Sequence, residues 1–68
     1  MNDDALQHSI RKLLKTTGVT TQQEIEAAVR QALADGRLAG HERLPARVTV
    51  EVDGLNLALV FDEDITLE

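Results

Sequence analysis

The residues that could carry chemistry are few and scattered. Ser9 is the only serine, and His8 precedes it. A nucleophile needs a base within hydrogen-bond reach and a third group to orient that base. Successive helical residues point about 100° apart, so His8 and Ser9 cannot act as a dyad. His41 and Glu42 adjoin in a glycine-containing stretch, but a metal centre needs three or four converging ligands. Asp62, Glu63 and Asp64 offer carboxylates to a hard cation, yet the glycine and distant glutamate of a calcium loop are missing. "GRLAG" has no following Lys-Ser/Thr and matches neither nucleotide fingerprint. A solvated surface or turn is the stronger reading in every case. The absence of Cys excludes disulfides, thiolate ligands and cysteine nucleophiles, and fits a reducing compartment. No catalytic, cofactor-binding or metal-ligating residue is therefore assigned, no cofactor is expected, and the chain is read as a non-enzyme.

One constellation remains. His8, Arg11, Lys12 and Lys15 fall at helical spacing on one side and form the only basic cluster of a chain with net charge −5. Residues 1–18 sum to +1, residues 19–40 to −1 and residues 41–68 to −5, so the acidity lies in the C-terminal part. Solubility and complementarity to a helix C-terminus explain the cluster simply. The sharper reading is a docking surface for an acidic partner, either an unidentified protein or the acidic end of a second copy. Nucleic acid is disfavoured by the overall negative charge.

Sixty-eight residues allow one domain, 1–68, and a small one. A chain this short buries only about 60% of its unfolded surface and gains from a partner. No apolar run approaches about 18 residues, so no transmembrane helix is expected. The start, Met1-Asn2-Asp3-Asp4, is acidic and polar, unlike a signal peptide, and a cytoplasmic location is expected.

The elements that would position these residues read as follows. Asn2 or Asp3 caps a first helix over about Asp3–Thr16, with Leu6, Ile10, Leu13 and Leu14 as its apolar stripe. Gly18 stands where a left-handed C′ residue would end it. Thr21 and Glu24 read as a capping box for a second helix carrying Ile25, Ala28, Val29, Ala32 and Leu33 and ending at Gly36. "GRLAGHERLP" connects, anchored by Leu38 and Leu44. Asp53-Gly54 between alternating runs is a type I′ hairpin signal. A two-residue turn there pairs Val52 with Leu55, Val50 with Leu57, Val48 with Leu59 and Ala46 with Phe61 on one apolar face. Asp62-Glu63-Asp64 reads as a second turn leading to a short third strand at Ile65 and Leu67, unless the final Leu-Glu is a tag scar. The expected fold is α+β: two N-terminal helices packed on a C-terminal antiparallel β-hairpin or three-stranded meander.

The reverse face of that hairpin holds a greasy corner of Arg47, Thr49, Ala58 and Val60. A homodimer covering these four residues is the leading functional expectation: a self-associating interaction or structural module. The rival is a winged-helix-like nucleic-acid-binding regulator. Against it stand the acids Glu24 and Glu26 on the recognition helix, Glu51 and Asp53 at the wing tip, and the missing third helix.

"SIRKLLKTTGVTTQQEIEAAVRQALADGRLAG" and "LPARVTVEVDGLNLALVFD" resemble a family of short uncharacterised bacterial proteins with a domain of unknown function, over nearly the whole chain. The family favours a Gly in the last turn, where this chain has Glu63. The resemblance implies a small cytoplasmic bacterial protein and supplies no catalytic or binding residues.

Overall fold

Asn2 starts a single helix. In the computed structural model, which describes residues 1–68, α1 spans Asp3–Ala34, and the Asn2 side-chain oxygen accepts the Ala5 amide at 3.1 Å. Asp3 and Asp4 lie in the first turn, at the positive end of the helix dipole.

The expected break at Gly18 does not occur, and the two expected helices are one. Gly18 has no positive φ; the left-handed glycines are Gly36, Gly40 and Gly54. Thr16 to Thr21 are poor helix formers and together cost about 4 kcal/mol relative to alanine. Nucleating a second helix costs about the same, roughly 4 kcal/mol. A break would also strip four carbonyls and four amides of their intrahelical partners, and that decides in favour of continuity. The Thr21–Glu24 pair is therefore internal and not a capping box. Lys12 and Lys15 lie in mid-helix, and the last turn carries no basic residue.

Gly36 is a helix terminator, as expected. At φ +82° it occupies C′ of a Schellman motif: the Arg37 amide donates to the Ala32 carbonyl at 2.9 Å and the Gly36 amide to Leu33 at 3.4 Å. The Arg37 guanidinium folds back on Asp35 at 2.9 Å and holds that carboxyl below its usual range.

The chain divides into two units, residues 1–37 with α1 and residues 38–68 with the connector and a hairpin. In the second unit β1 (Arg43–Val52) pairs antiparallel with β2 (Leu57–Thr66) in a two-stranded sheet. The register is two residues away from the expected one. Val52 faces Leu57, Val50 faces Leu59, Val48 faces Phe61, Ala46 faces Glu63 and Leu44 faces Ile65. A type I′ turn needs positive φ at both Asp53 and Gly54. Here Gly54 (φ +87°) and Asn56 (φ +52°) take the left-handed positions, and the Leu55 amide donates to Val52 at 3.3 Å. Asn tolerates this region because its side chain can bond locally, so the loop has four residues with Leu55 in it.

No third strand follows. Asp62, Glu63 and Asp64 belong to β2, where Arg47 donates to Asp62 at 2.8 Å and Arg43 approaches Asp64 at 3.8 Å. Opposite charges across a ladder favour pairing over turning. The Leu67 amide extends the ladder to the Glu42 carbonyl at 3.2 Å. Pro45 sits in β1 without penalty, since a two-stranded sheet has only edges.

Glu42 fixes the connector. Its carboxylate accepts the amides of Ala39 (2.7 Å), Gly40 (2.9 Å) and His41 (3.1 Å). These bonds, the Ala39 amide foremost, push its carboxyl down to about 2 from an ordinary 4.5. A depressed folded value means the lock is complete above 4.5 and is lost as pH falls toward 2. The Ala39 amide proton shift should therefore titrate with a midpoint of about 2 and stop titrating in Glu42→Gln. A midpoint near 4.5 would show the carboxylate to be free of these amides.

Candidate functional site

The chemistry-bearing residues are occupied or dispersed. The Ser9 hydroxyl donates to the Leu6 carbonyl at 2.9 Å, a backbone bond that leaves His8 out. Glu42 is engaged by three amides, so beside His41 it acts as a connector lock (Nδ1 to Oε1, 3.8 Å). Asp62 and Asp64 share the reverse face of the hairpin and are paired with arginines, while Glu63 lies on the apolar face opposite Ala46. Alternation along a strand keeps these three carboxylates from meeting on one cation.

Surfaces are what the two units offer. On α1, His8, Arg11, Lys12 and Lys15 line one shallow open depression, as their spacing predicts. None of the three cations has a carboxylate partner; Arg11 reaches only the Gln7 side-chain oxygen, at 3.5 Å. Dipole complementarity no longer explains Lys12 and Lys15, because the dipole acts within the last turn and these lysines lie in mid-helix. Solubility or a partner remains as the reason for the cluster.

Another face of α1 carries the apolar stripe, and much of it is uncovered. Leu6 is 45% exposed, Ile10 47%, Leu13 56% and Leu14 60%. Ile25 and Val29 are half-buried, and Ala32, at 8%, is the one buried residue of the chain. Continuity of the helix gives the stripe a repeat that the two-helix reading hides. Leu6, Thr17 and Ala28 recur every eleven residues, as do Ile10, Thr21 and Ala32, and Leu14 with Ile25. Eleven residues over three turns is close to the natural helical period, so the stripe stays on one side of a nearly straight rod.

On the hairpin, Val48, Val52, Leu57, Leu59 and Phe61 share one face and are all exposed. The two-residue shift in register preserves the face of every side chain. Arg47, Thr49, Ala58 and Val60 do share the reverse face, but with new neighbours: Thr49 faces Val60, Ala58 faces Glu51, and Arg47 is held by Asp62. Ala58 and Val60 remain exposed, isolated among polar and charged groups. The corner a helix-turn-helix reader needs is absent, since residues 16–20 are helical.

The family model described as "Family of unknown function (DUF6494)" matches residues 1–68, the full chain, and the chain belongs to that family. No curated protein and no solved structure matches it.

Proposed function

We propose that the chain is a self-associating interaction module, a homodimer without catalytic activity, working in the bacterial cytoplasm. The carrying observation is how little is buried. Ala32 alone is buried, while large apolar side chains from Leu6 to Phe61 are left about half exposed. Stable domains place apolar faces against a second layer. A two-stranded ribbon is marginal in water by itself, and a helix owes most of its stability to packing of its apolar face. A second copy is the layer this composition calls for. The bonds already made by Ser9 and Glu42 speak against a catalytic role. The lack of Cys fits a reducing cytoplasm, and no helix is long and apolar enough to cross a membrane.

Association linked to folding makes stability depend on concentration. The melting temperature, followed by helical circular dichroism, should rise as the chain is concentrated from the low to the high micromolar range. A melting temperature independent of concentration would sink the proposal.

A further inference from the structure

We propose that Asp53-Gly54, at the tip of the hairpin, is a self-modification site that rearranges to isoaspartate through a cyclic imide, while the other Asp-Gly pair of the chain, Asp35-Gly36, is held back by the fold. The site is independent of self-association. The chemistry open to both pairs is the same. The glycine amide nitrogen attacks Cγ of the aspartic acid, a C–N bond forms, and the carboxyl hydroxyl leaves as water with the amide proton. Water then opens the imide. Opening at Cγ restores aspartate. Opening at the main-chain carbonyl leaves the chain running through Cβ and Cγ, with the α-carboxylate as the new side chain. One water leaves and one returns, so the mass is unchanged and no other reactant is needed. Glycine favours the step because no Cβ shields its nitrogen.

The fold separates two pairs that are alike in sequence. At Asp35 both reacting groups are engaged. The carboxylate accepts the Arg37 guanidinium at 2.9 Å and the Arg37 amide at 3.4 Å. The Gly36 amide donates to the Leu33 carbonyl at 3.4 Å, within the Schellman motif. At ψ 9° the Gly36 nitrogen nearly eclipses the Asp35 nitrogen and is turned away from Cβ. Ring closure there needs rotation about that bond, and rotation takes the helix end apart. At Asp53 both groups are free. No hydrogen bond or ion pair holds its carboxylate, and the Gly54 amide donates to no acceptor. Residues 53–56 are exposed and lie outside both strands, and one long backbone bond, Leu55 to Val52 at 3.3 Å, crosses the loop. An open depression lined by Glu51, Asp53, Gly54 and Asn56 admits water to the imide. A loop held this lightly opens more readily than a capped helix end. Isoaspartate adds one carbon to the main chain of the turn between β1 and β2.

Each passage through the imide takes one oxygen from solvent, so heavy-oxygen water reads the reaction directly. The full chain is kept folded near neutral pH in such water and then digested with trypsin, which releases Asp35 in residues 31–37 and Asp53 in residues 48–68. Fragment masses should show heavy oxygen and isoaspartate accumulating at Asp53. Asp35 should be slower by on the order of tenfold, because its hydrogen bonds must open first. In guanidinium chloride the two positions should react at comparable rates. Equal rates in the folded chain, or a faster Asp35, would overturn the proposal. So would an Asp53 that reacts only in denaturant. Asp53→Glu lengthens a side chain that makes no contacts and closes the ring poorly, so it should abolish heavy-oxygen uptake in residues 48–68. Uptake that persists there would place the chemistry at another aspartate and overturn the assignment.

Discussion

Ile10→Glu should convert a dimeric chain into a monomer with a lower melting temperature. Ile10 is 47% exposed in the free chain, so about half of its burial is still to be gained on association. That half is about 1 kcal/mol per copy. A glutamate held in the same layer also loses part of its hydration, at a further penalty of at least about 1 kcal/mol per copy. The twofold doubles both terms, giving about 4 kcal/mol, or on the order of a thousandfold in the dissociation constant. Glu is at least as good a helix former as Ile, so helix propensity opposes any unfolding by the substitution. Val60→Lys on the hairpin's reverse face is the comparator. Val60 stands among Thr49, Glu51, Arg47 and Asp62, and a lysine there meets acids already. Its effect on the dissociation constant should be far smaller. If Val60→Lys proves the more disruptive, the interface is the corner of Arg47, Thr49, Ala58 and Val60, and α1 is not the contact surface.

Gly18 should give opposite results with two substitutions. In a continuous helix, Gly18→Ala removes backbone freedom from the unfolded chain and stabilises by about 1 kcal/mol. Beyond the adjoining residues and the helix's own backbone, no atom lies within 4 Å of an added Cβ, so the methyl group meets no clash. Gly18→Pro deletes the amide that bonds the Leu14 carbonyl and drives the ring into that carbonyl, at about 3 kcal/mol or more. If Gly18 instead ended a first helix as a left-handed C′ residue, alanine would destabilise by about 1–2 kcal/mol. Thermal or urea denaturation of the two variants decides between these cases by sign. Gly36 provides the internal control: its φ is +82°, and Gly36→Ala should destabilise.

Gly18 also shows where sequence reasoning went astray. A glycine between threonines carries the local signature of a helix end, and the propensities around it are poor. The deciding term was non-local: eight backbone groups that a break would orphan. Gly36 carries the same residue type and does end the helix, because Ala32, Leu33, Gly36 and Arg37 close a Schellman motif there. The eleven-residue recurrence of Leu6, Thr17 and Ala28 was visible in the sequence and argues for continuity, but threonines in the middle third mask it. The hairpin was legible in location and in facing, since alternation fixes which residues share a side. Its register was not, because Asn56 competes with Asp53 for the left-handed position. The Arg47–Asp62 pair was the available signal for the true register, as it places opposite charges directly across the ladder. The Glu42 lock had no sequence signature beyond a carboxylate two residues after a glycine.

Sedimentation equilibrium of the unmodified chain is the most direct test of self-association. At micromolar concentration and moderate salt the fitted mass should be twice 7.5 kDa, and Ile10→Glu should return it to 7.5 kDa under the same conditions. A mass of 7.5 kDa for the unmodified chain at every accessible concentration would contradict the homodimer.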